Sequence, residues 1–402
     1  MGERESMLGS QRQELVIVTN LAAVTCGEAV LLTRKFVDGM SRYASLWNGP
    51  VRCLARPATT VSDNLDNIEV RAGSVPFDVD VLDFASDDLP RSMSRAAVIV
   101  GSVGYMQNHV SILGRRLGIP VVYVTEYSLR TRLQLARAEV SNPVRLVKRS
   151  MWEARQERRQ RHALQLAQGI QCNGTPTFDA YRDLTANSLL YFDTRATEDM
   201  IASDEVLSRR LRTLSTRPPL RLAFSGRLIP MKGVEHLVRV AEALRARNVA
   251  FELRIYGSGS SETVLRSEIE RLGLQSQVHL EGSLEFAAEL VPRIRDSTDL
   301  FVCCHGQGDP SCTYLETLAC GVPIVGYANE AWSGLLKHVH AGQAVPVNDT
   351  EALADCIAQA ACDDRLRVWS QAGLNFARRH SFEKTFARRV EHYRAVASAG
   401  VS

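Results

Sequence analysis

Short apolar runs alternate with segments of helical periodicity from one end of the chain to the other. Strand-like runs cover 15–19, 96–101 and 120–125 in the first half, and 220–225 and 251–256 in the second. Each run is apolar on both faces, as strands covered by helices on both sides must be. The alternation therefore predicts an α/β fold built from parallel βαβ units.

The length of the chain predicts two domains. At 402 residues it exceeds the usual size of a single hydrophobic core. The segment 203–219 is polar and ends in two prolines, which neither continue a helix nor donate to a sheet, so we expect the linker there. This gives an N-terminal domain at 1–202 and a C-terminal domain at 220–381. The amphipathic stretch at 382–402 is long enough to cross back to the first domain.

Composition argues against several classes of protein. A net charge of +3, from 48 basic and 45 acidic residues, is too balanced to predict nucleic-acid binding. The nine cysteines show no CxxC pair or metal-ligand spacing, which favours free thiols in a reducing cytosol and predicts no metal site. Residues 1–14 lack the apolar core of a signal peptide, and no apolar window of about 18 residues follows. We therefore expect a cytoplasmic protein.

The basic segment at 145–161 has two interpretations. It carries seven arginines and lysines against two glutamates. A solvated helix face explains such a charge run. Alternatively, the segment is a surface for anionic lipid head groups or an anionic acceptor, with Leu146, Met151 and Trp152 as apolar partners. The second interpretation puts the protein peripherally at the inner face of a membrane.

The turn at 225–233 joins a predicted strand to a predicted helix and contains two cations. Arg227 and Lys232 are five residues apart, in a turn with glycines and a proline, so both can converge on one anion beyond the strand end. Ligands of open α/β sheets collect there, and a helix N-terminus adds backbone donors. A phosphate is the simplest such anion. The alternative is an Arg and a Lys on an ordinary surface loop.

Further glycine turns follow the next two predicted strands. Gly226 belongs to the first turn, Gly257 and Gly259 to the second, and Gly282 to the third. A single glycine pair is weak evidence, because glycines end strands in many proteins. Three such turns in order predict that they line one crevice.

The stretch at 305–319 predicts a second anion-binding element. A turn around Asp309 precedes Ser311, which is a natural N-cap for the following short helix. The amides from Ser311 through Cys312 to Thr313 would then face the crevice. Glu316 lies one helical turn further in, on an apolar segment, where an unpaired carboxylate is costly. Its partner is predicted to be vicinal ribose hydroxyls or, alternatively, a neighbouring arginine.

These motifs resemble the second half of retaining GT-B glycosyltransferases of family 4, the glycosyl transferases group 1. The resemblance covers about 220–327 and the final helix, and implies two Rossmann-like domains facing a central cleft. The family's G-R-L-x-x-x-K-G motif binds the donor diphosphate, which implies that role for Arg227 and Lys232. The glutamate of its L-E-x-x-A-x-G-x-P motif binds the donor ribose, which implies that role for Glu316.

Two positions depart from the family pattern. Gly308 stands where the family usually has a glutamate, and the adjacent Asp309 is a candidate substitute. Glu126 stands where the family often has a histidine near the reacting carbon of the donor sugar. His109 is the nearest alternative in the first domain, unless it is a helix-start residue facing solvent or a backbone carbonyl. Gly27, predicted to start a helix after the first strand, is expected beside the diphosphate.

The resemblance implies transfer of a hexose from a UDP- or GDP-sugar, with UDP favoured. Backbone around 281–284, including Leu284, is expected to contact the base. The acceptor is a glycan, a lipid-linked molecule or a small molecule of polysaccharide or glycoconjugate biosynthesis, and no cofactor or metal is expected. Two alternatives remain, a nucleotide-sugar-binding protein without transfer activity and a sugar-nucleotide epimerase.

Overall fold

The computed structural model of the chain describes residues 13–60, 67–214, 219–362 and 364–399. Most of the polar segment 1–14, residues 215–218 of the predicted linker and the last three residues of the predicted crossing helix lie outside the described residues. The strands are β1 Glu14–Cys26, β2 Ala29–Thr33, β3 Val51–Pro57, β4 Asn67–Arg71, β5 Asp78–Val81, β6 Ala96–Ser102, β7 Val121–Thr125, β8 Gly169–Asn173, β9 Ser188–Tyr191, β10 Leu220–Ser225, β11 Phe251–Tyr256, β12 Val278–Gly282, β13 Leu300–Cys303, β14 Ile324–Tyr327 and β15 Gly342–Val345.

Helices separate most of these strands, and short helical turns lie at Pro230–Lys232 and Phe286–Leu290, among others. The α-helices are α1 Arg34–Leu46, α2 Asp88–Met93, α3 Val110–Leu117, α4 Leu129–Glu139, α5 Pro143–Leu166, α6 Thr175–Tyr181, α7 Asp204–Leu214, α8 Val234–Ala246, α9 Glu262–Arg271, α10 Val291–Ser297, α11 Thr313–Ala319, α12 Glu330–Leu336, α13 Thr350–Cys362, α14 Arg365–Arg379 and α15 Phe382–Ala399.

The first half of the chain forms one nine-stranded sheet within the described residues. Its parallel part has the order β5-β3-β1-β6-β7-β8-β9. The far end of β1 turns away from this sheet and pairs antiparallel with β2, which pairs antiparallel with β4. The segment after β6 contacts β1 where the strand order reverses, and Gln107 there donates to the Asn20 side chain at 2.9 Å.

The second half forms a six-stranded parallel sheet in the order β12-β11-β10-β13-β14-β15. The chain moves outward in one direction from β10 and then in the other from β13. The carboxyl ends of β10 and β13 therefore flank the crevice where ligands bind in such sheets. Two parallel sheets of this kind confirm the predicted α/β class with two Rossmann-like units.

The last helix, α15, crosses back to the first domain, as predicted. Phe386, Val390 and Tyr393 are buried in the core beneath the first sheet. Arg389 is also buried on this helix, where its guanidinium lies 4.3 Å from the Tyr191 ring centroid and donates to the Gln171 side chain at 2.8 Å. Aromatic stacking and a neutral acceptor thus compensate the burial of this charge.

The predicted linker segment contains a helix. Leu207 and Leu211 on α7 pack against Leu374 of α14. Arg210 is buried and donates to the carbonyl of Cys320 at 2.8 Å, just beyond α11. The segment is therefore anchored on the second domain, and the domain boundaries themselves stay a prediction.

No helix among the described residues is both long enough and apolar enough to cross a bilayer.

Candidate functional site

The three glycine turns of the second domain pack against one another at the strand ends. The Gly226 N–H donates to the Tyr256 carbonyl at 3.0 Å, and the Gly257 N–H donates to the Gly282 carbonyl at 2.7 Å. A Cβ on Gly257, whose φ is +133°, would overlap the Gly226 carbonyl oxygen. Only glycine fits such an approach. The turns therefore form one wall of the crevice, as the sequence suggested.

The second and third turns continue that wall. A Cβ on Gly259 would overlap the Leu228 carbonyl, and the Leu228 N–H donates to the Ser258 carbonyl at 2.8 Å. Leu284 follows the third turn and packs partly buried against the core of the second domain. The predicted base-contacting segment thus borders the crevice.

The two cations of the 225–233 turn have different surroundings. Lys232 is only 9% exposed, and its Nζ lies 2.7 Å from Asp309 Oδ2. Gly233, with φ +63°, lets this turn close against the Cys304 carbonyl at the end of β13. Arg227 is exposed, and its guanidinium makes no hydrogen bond or ion pair with any described residue. Lys232 is thus fixed in place, and Arg227 is open to an anion.

The start of α11 differs from the prediction that Ser311 caps it. The helix begins at Thr313 with Cys312 as its cap residue, which makes no side-chain cap hydrogen bond. The Ser311 hydroxyl donates instead to Thr313 Oγ1 at 3.2 Å, and the Ser311 N–H donates to the Asp309 carbonyl at 2.8 Å. Ser311 therefore binds within the turn through its hydroxyl proton and its N–H, and its side chain does not cap the helix.

Side chains of the first domain reach across the cleft to this turn. The Lys35 ammonium donates to Asp193 Oδ2 at 2.7 Å and to Cys312 Sγ at 3.0 Å. Lys35 follows Thr33, whose hydroxyl accepts the Phe36 N–H and so starts α1 at the cleft. The two domains are therefore joined by a polar contact beside the predicted anion site.

Two carboxyls in the cleft have pKa values displaced in opposite directions. Protein around the cleft removes much of the hydration of Glu126, although the side chain is accessible, and this raises its pKa. The Asp193 carboxylate raises the pKa of Glu126 further. Burial alone would raise the pKa of Asp193 too, but the charge and hydrogen bond of Lys35 outweigh burial and hold it below its ordinary value. Such a split is typical of functional sites.

The charge of Arg227, in the second domain, acts on the phenol of Tyr127, in the first domain. Burial and the charges of Asp309 and Glu126 raise the pKa of the Tyr127 phenol, whereas the Arg227 charge lowers it. Arg227 thus acts across the cleft on the residue next to Glu126.

Glu316 is paired with an arginine, the second of its two predicted partners. Arg195 Nε lies 2.7 Å from Glu316 Oε1, and its terminal nitrogen lies 3.1 Å from Oε2. The Arg195 guanidinium also stacks on the Phe286 ring, 3.8 Å from its centroid. A carboxylate has about four acceptor positions, so this bidentate pair leaves two for further donors.

Two predicted site residues have local surroundings that bear on their expected roles. His109 precedes α3, and its Nε2 is 3.1 Å from the Phe84 carbonyl, which matches the alternative of a helix-start residue bound to backbone. Gly27 does not start a helix: it sits at the tip of the β1–β2 hairpin, where Cys26 pairs with Ala29. The helix begins seven residues later, at Arg34, because β2 intervenes. The expected place of Gly27 beside the diphosphate stays a prediction.

Sequence reasoning missed Lys35, Asp193 and Arg195. Asp193 and Arg195 directly follow β9, and charged residues after an apolar run are the same signal that identified the 225–233 turn. Lys35 had a weaker signal, a threonine two residues before it that can cap a helix. Their partners are far away in the sequence: Lys35 and Asp193 are 158 positions apart, and Arg195 and Glu316 are 121 positions apart.

Part of the chain is similar to a known family and to curated proteins. Residues 213–374 match the family model of the glycosyl transferases group 1. The chain is 28% identical over 195 residues to the exopolysaccharide phosphotransferase SCO2592 of Streptomyces coelicolor, covering 48% of this chain and 20% of that protein. It is 29% identical over 147 residues to the putative colanic acid biosynthesis glycosyltransferase WcaL of Salmonella typhimurium, covering 35% of this chain and 36% of that protein. The chain thus spans well under half the length of these curated relatives.

Solved structures match the chain over nearly its full length. HepE of Anabaena, crystallised in complex with UDP, superposes with a TM-score of 0.65 over 95% of this chain and 99% of that chain, at 13% identity. At this identity the likeness establishes the fold. Residues 213–374 are therefore a glycosyl transferases group 1 domain, and the chain as a whole has the GT-B fold of two Rossmann-like sheets.

Proposed function

We propose that the protein is a glycosyltransferase that moves a sugar, with retention at the anomeric carbon, from a nucleotide-diphosphate sugar to an acceptor. The observation that carries this proposal is the open Arg227 beside the buried Lys232, at the carboxyl ends of β10 and β13. The group 1 domain spans this crevice. Glu126 and Lys35 of the first domain form the facing wall.

The cations act on the leaving group in this proposal. When the glycosidic bond of the donor breaks, the nucleoside diphosphate gains negative charge. Fixed positive groups then stabilise the transition state more than the ground state. No carboxylate of the described residues pairs with the Arg227 guanidinium. Lys232 either keeps its ion pair with Asp309 and also binds a diphosphate oxygen, or replaces Asp309 with that oxygen. No metal ion or cofactor is invoked.

The carboxylates act on the sugar. Positive charge develops at the anomeric carbon as the leaving group departs. Asp309 lies beside Lys232 in the second domain, and Glu126 lies in the first domain, where the charge of Asp309 raises its pKa. A sugar held between Asp309 and Glu126 would have a carboxylate on either side. Asp309 would then take the role of the glutamate that the family usually has at the position of Gly308.

This assignment predicts a specific pH dependence. As pH falls through the raised pKa of Glu126, the carboxylate is protonated and transfer declines. Replacing Asp193 with Asn removes the charge that raises this pKa and frees Lys35, which lowers it, so the acidic limb of the rate profile moves to lower pH. Steady-state rates across the acid range measure the shift. The exposed Asp199→Asn serves as the control, and an acidic limb that stays in place or moves upward in Asp193→Asn contradicts the role of Glu126.

The donor and acceptor are proposed from the relatives. UDP is the first nucleotide to test, because HepE binds it in a crystal. The names of the curated relatives concern exopolysaccharide and colanic acid. We therefore propose a glycan or lipid-linked acceptor of extracellular polysaccharide synthesis ahead of a small molecule.

Titration calorimetry with UDP, GDP and ADP, followed by turnover of the matching nucleotide sugars, tests the donor site. We expect binding of UDP and release of UDP from a UDP-sugar. Binding without turnover supports a nucleotide-sugar-binding protein instead, and an isomerised nucleotide sugar identifies an epimerase. If none of the nucleotides binds, the donor site itself is wrong.

We also propose that α5 contacts an anionic membrane surface. Its glutamates face inward: Glu153 and Glu157 accept from Arg132 at 3.0 and 2.7 Å. Basic residues of the outer face are exposed and lack these acidic partners: Arg145, Lys148, Arg155, Arg158 and Arg159. Val144, Val147 and Met151, at helical spacing on the same side, are 63, 59 and 52% exposed. Apolar side chains within a basic face fit a lipid interface.

Vesicle sedimentation tests this surface. Wild-type protein is expected to sediment with phosphatidylglycerol vesicles and not with neutral phosphatidylcholine vesicles. The double variant Val147→Glu/Met151→Glu should bind at least about tenfold more weakly, because it inserts charge where apolar area is buried. The matched control is Val264→Glu/Val368→Glu, which changes two exposed valines of the second domain. Equal sedimentation with both kinds of vesicle would contradict an anionic membrane contact and would make α5 a solvated helix.

A further inference from the structure

Gly308, the position that departs from the family pattern, is buried at a contact between the two domains. Its N–H donates to Gln134 Oε1 at 3.0 Å, and its carbonyl accepts from the Thr131 hydroxyl at 3.3 Å. Both partners lie on α4 of the first domain. The backbone of this turn is therefore held by side chains from the opposite half of the chain.

Glu330, at the start of α12, completes the contact from the second domain. The Gln134 amide donates to its two carboxylate oxygens at 3.0 and 3.1 Å, and Arg130 forms an ion pair with it. Gln134 lies one helical turn after both Arg130 (i,i+4) and Thr131 (i,i+3), and these are the spacings at which side chains of a helix meet. One amide side chain thus accepts from the Gly308 turn and donates to Glu330.

Space, not backbone conformation, favours glycine at this position. Gly308 does not have a positive φ. A Cβ there would lie 2.8 Å from Glu330 Oε2 and 3.0 Å from Thr131 Oγ1. Any side chain would force these groups apart. The Glu330 carboxylate occupies the place where a glutamate at 308 would begin.

The turn held in this way also carries a charged residue of the crevice. Asp309 follows Gly308 directly and pairs with Lys232. We propose that Gln134 and Glu330 form a latch between the domains, which fixes the Gly308–Asp309 turn and so positions Asp309 and Lys232 when the cleft is closed. Gln134 is a positioning residue in this inference, which rests on the proposed function for its catalytic consequence but not for the contact itself.

A swap of the two latch side chains tests the inference. Gln134→Glu sets a carboxylate against Glu330 and should break the latch. The double variant Gln134→Glu/Glu330→Gln restores one amide and one carboxylate in exchanged positions, and both hydrogen bonds can form again. Arg137→Gln is the control, since it makes the same change of net charge on an exposed residue of α4.

Two readouts are needed, small-angle X-ray scattering and steady-state transfer from a UDP-sugar. Gln134→Glu should increase the radius of gyration and lower kcat about tenfold, the effect of a lost hydrogen bond to a charged group, with the Kd for UDP within about threefold of wild type. The double variant should return both readouts toward wild type, and Arg137→Gln should change neither.

The latch is overturned if Gln134→Glu leaves scattering and kcat unchanged, or if the double variant stays as impaired as the single one. It is also overturned if Gln134→Glu loses UDP binding together with thermal stability, because that marks a general structural role. Scattering that responds as expected, in a protein that neither binds UDP nor turns over a donor, supports the latch and rejects the proposed function.

Discussion

Replacing Arg227 with Ala is expected to weaken UDP binding and donor turnover by about ten- to a hundredfold. The exposed guanidinium makes no hydrogen bond or ion pair within the described structure, so it is available for a charge-assisted bond to the diphosphate, worth about 1.5–3 kcal/mol. For the same reason its removal should leave the free energy of unfolding within about 0.5 kcal/mol of wild type. Calorimetry with UDP and a denaturant titration measure the two quantities.

Arg239→Ala is the matched control for Arg227→Ala. Arg239 is exposed on α8, the helix that follows the same turn. It should change neither affinity nor stability. An Arg227→Ala variant that turns over donor at the wild-type rate would remove the diphosphate assignment, whereas an equal loss in both variants would indicate general electrostatic attraction.

Replacing Glu316 with Gln is expected to weaken UDP binding by about tenfold, through loss of a charged acceptor for the ribose hydroxyls. The cost in folding should be smaller, about 1 kcal/mol, because Arg195 is already 37% exposed in the ion pair and can stay stacked on Phe286 without it. Calorimetry and denaturant titration on the same preparation separate the two effects. Unfolding at lower denaturant concentration with undiminished affinity for UDP would make the Arg195–Glu316 pair purely structural.

Glu270→Gln controls for the lost charge. Glu270 is exposed on α9 of the same domain. Arg195→Met provides a complementary comparison, since it keeps the Glu316 carboxylate and removes the group that orients it. Its effect on affinity should be smaller than that of Glu316→Gln if ribose binds the carboxylate directly.

Much of the second domain could be predicted because short stretches of sequence indicate its strands and turns. The strands beginning at Leu220 and Phe251 lie where the apolar runs predicted them, since a strand buried on both faces has a recognisable composition. The glycine turns were predictable too, because close backbone approach leaves few residue choices.

The first domain was harder to predict at its edge. The sequence predicts the start of a helix at Gly27, whereas this residue lies in the turn of a hairpin that leads into the short strand β2. A single glycine after a strand is compatible with both structures. What decided between them is the pairing of β2 with β4, and that pairing involves residues some 40 positions apart that no local pattern reports.

The sequence by itself determined the two parallel sheets, the crevice at the ends of β10 and β13, and the presence there of Arg227 and Lys232, because each depends on residues close together in the chain. Only the tertiary structure decided that Lys35 meets Cys312, 277 positions away, and that Gln134 holds Gly308, 174 positions away. These contacts form when two domains close on each other, and their energy depends on distance in space rather than on spacing along the chain.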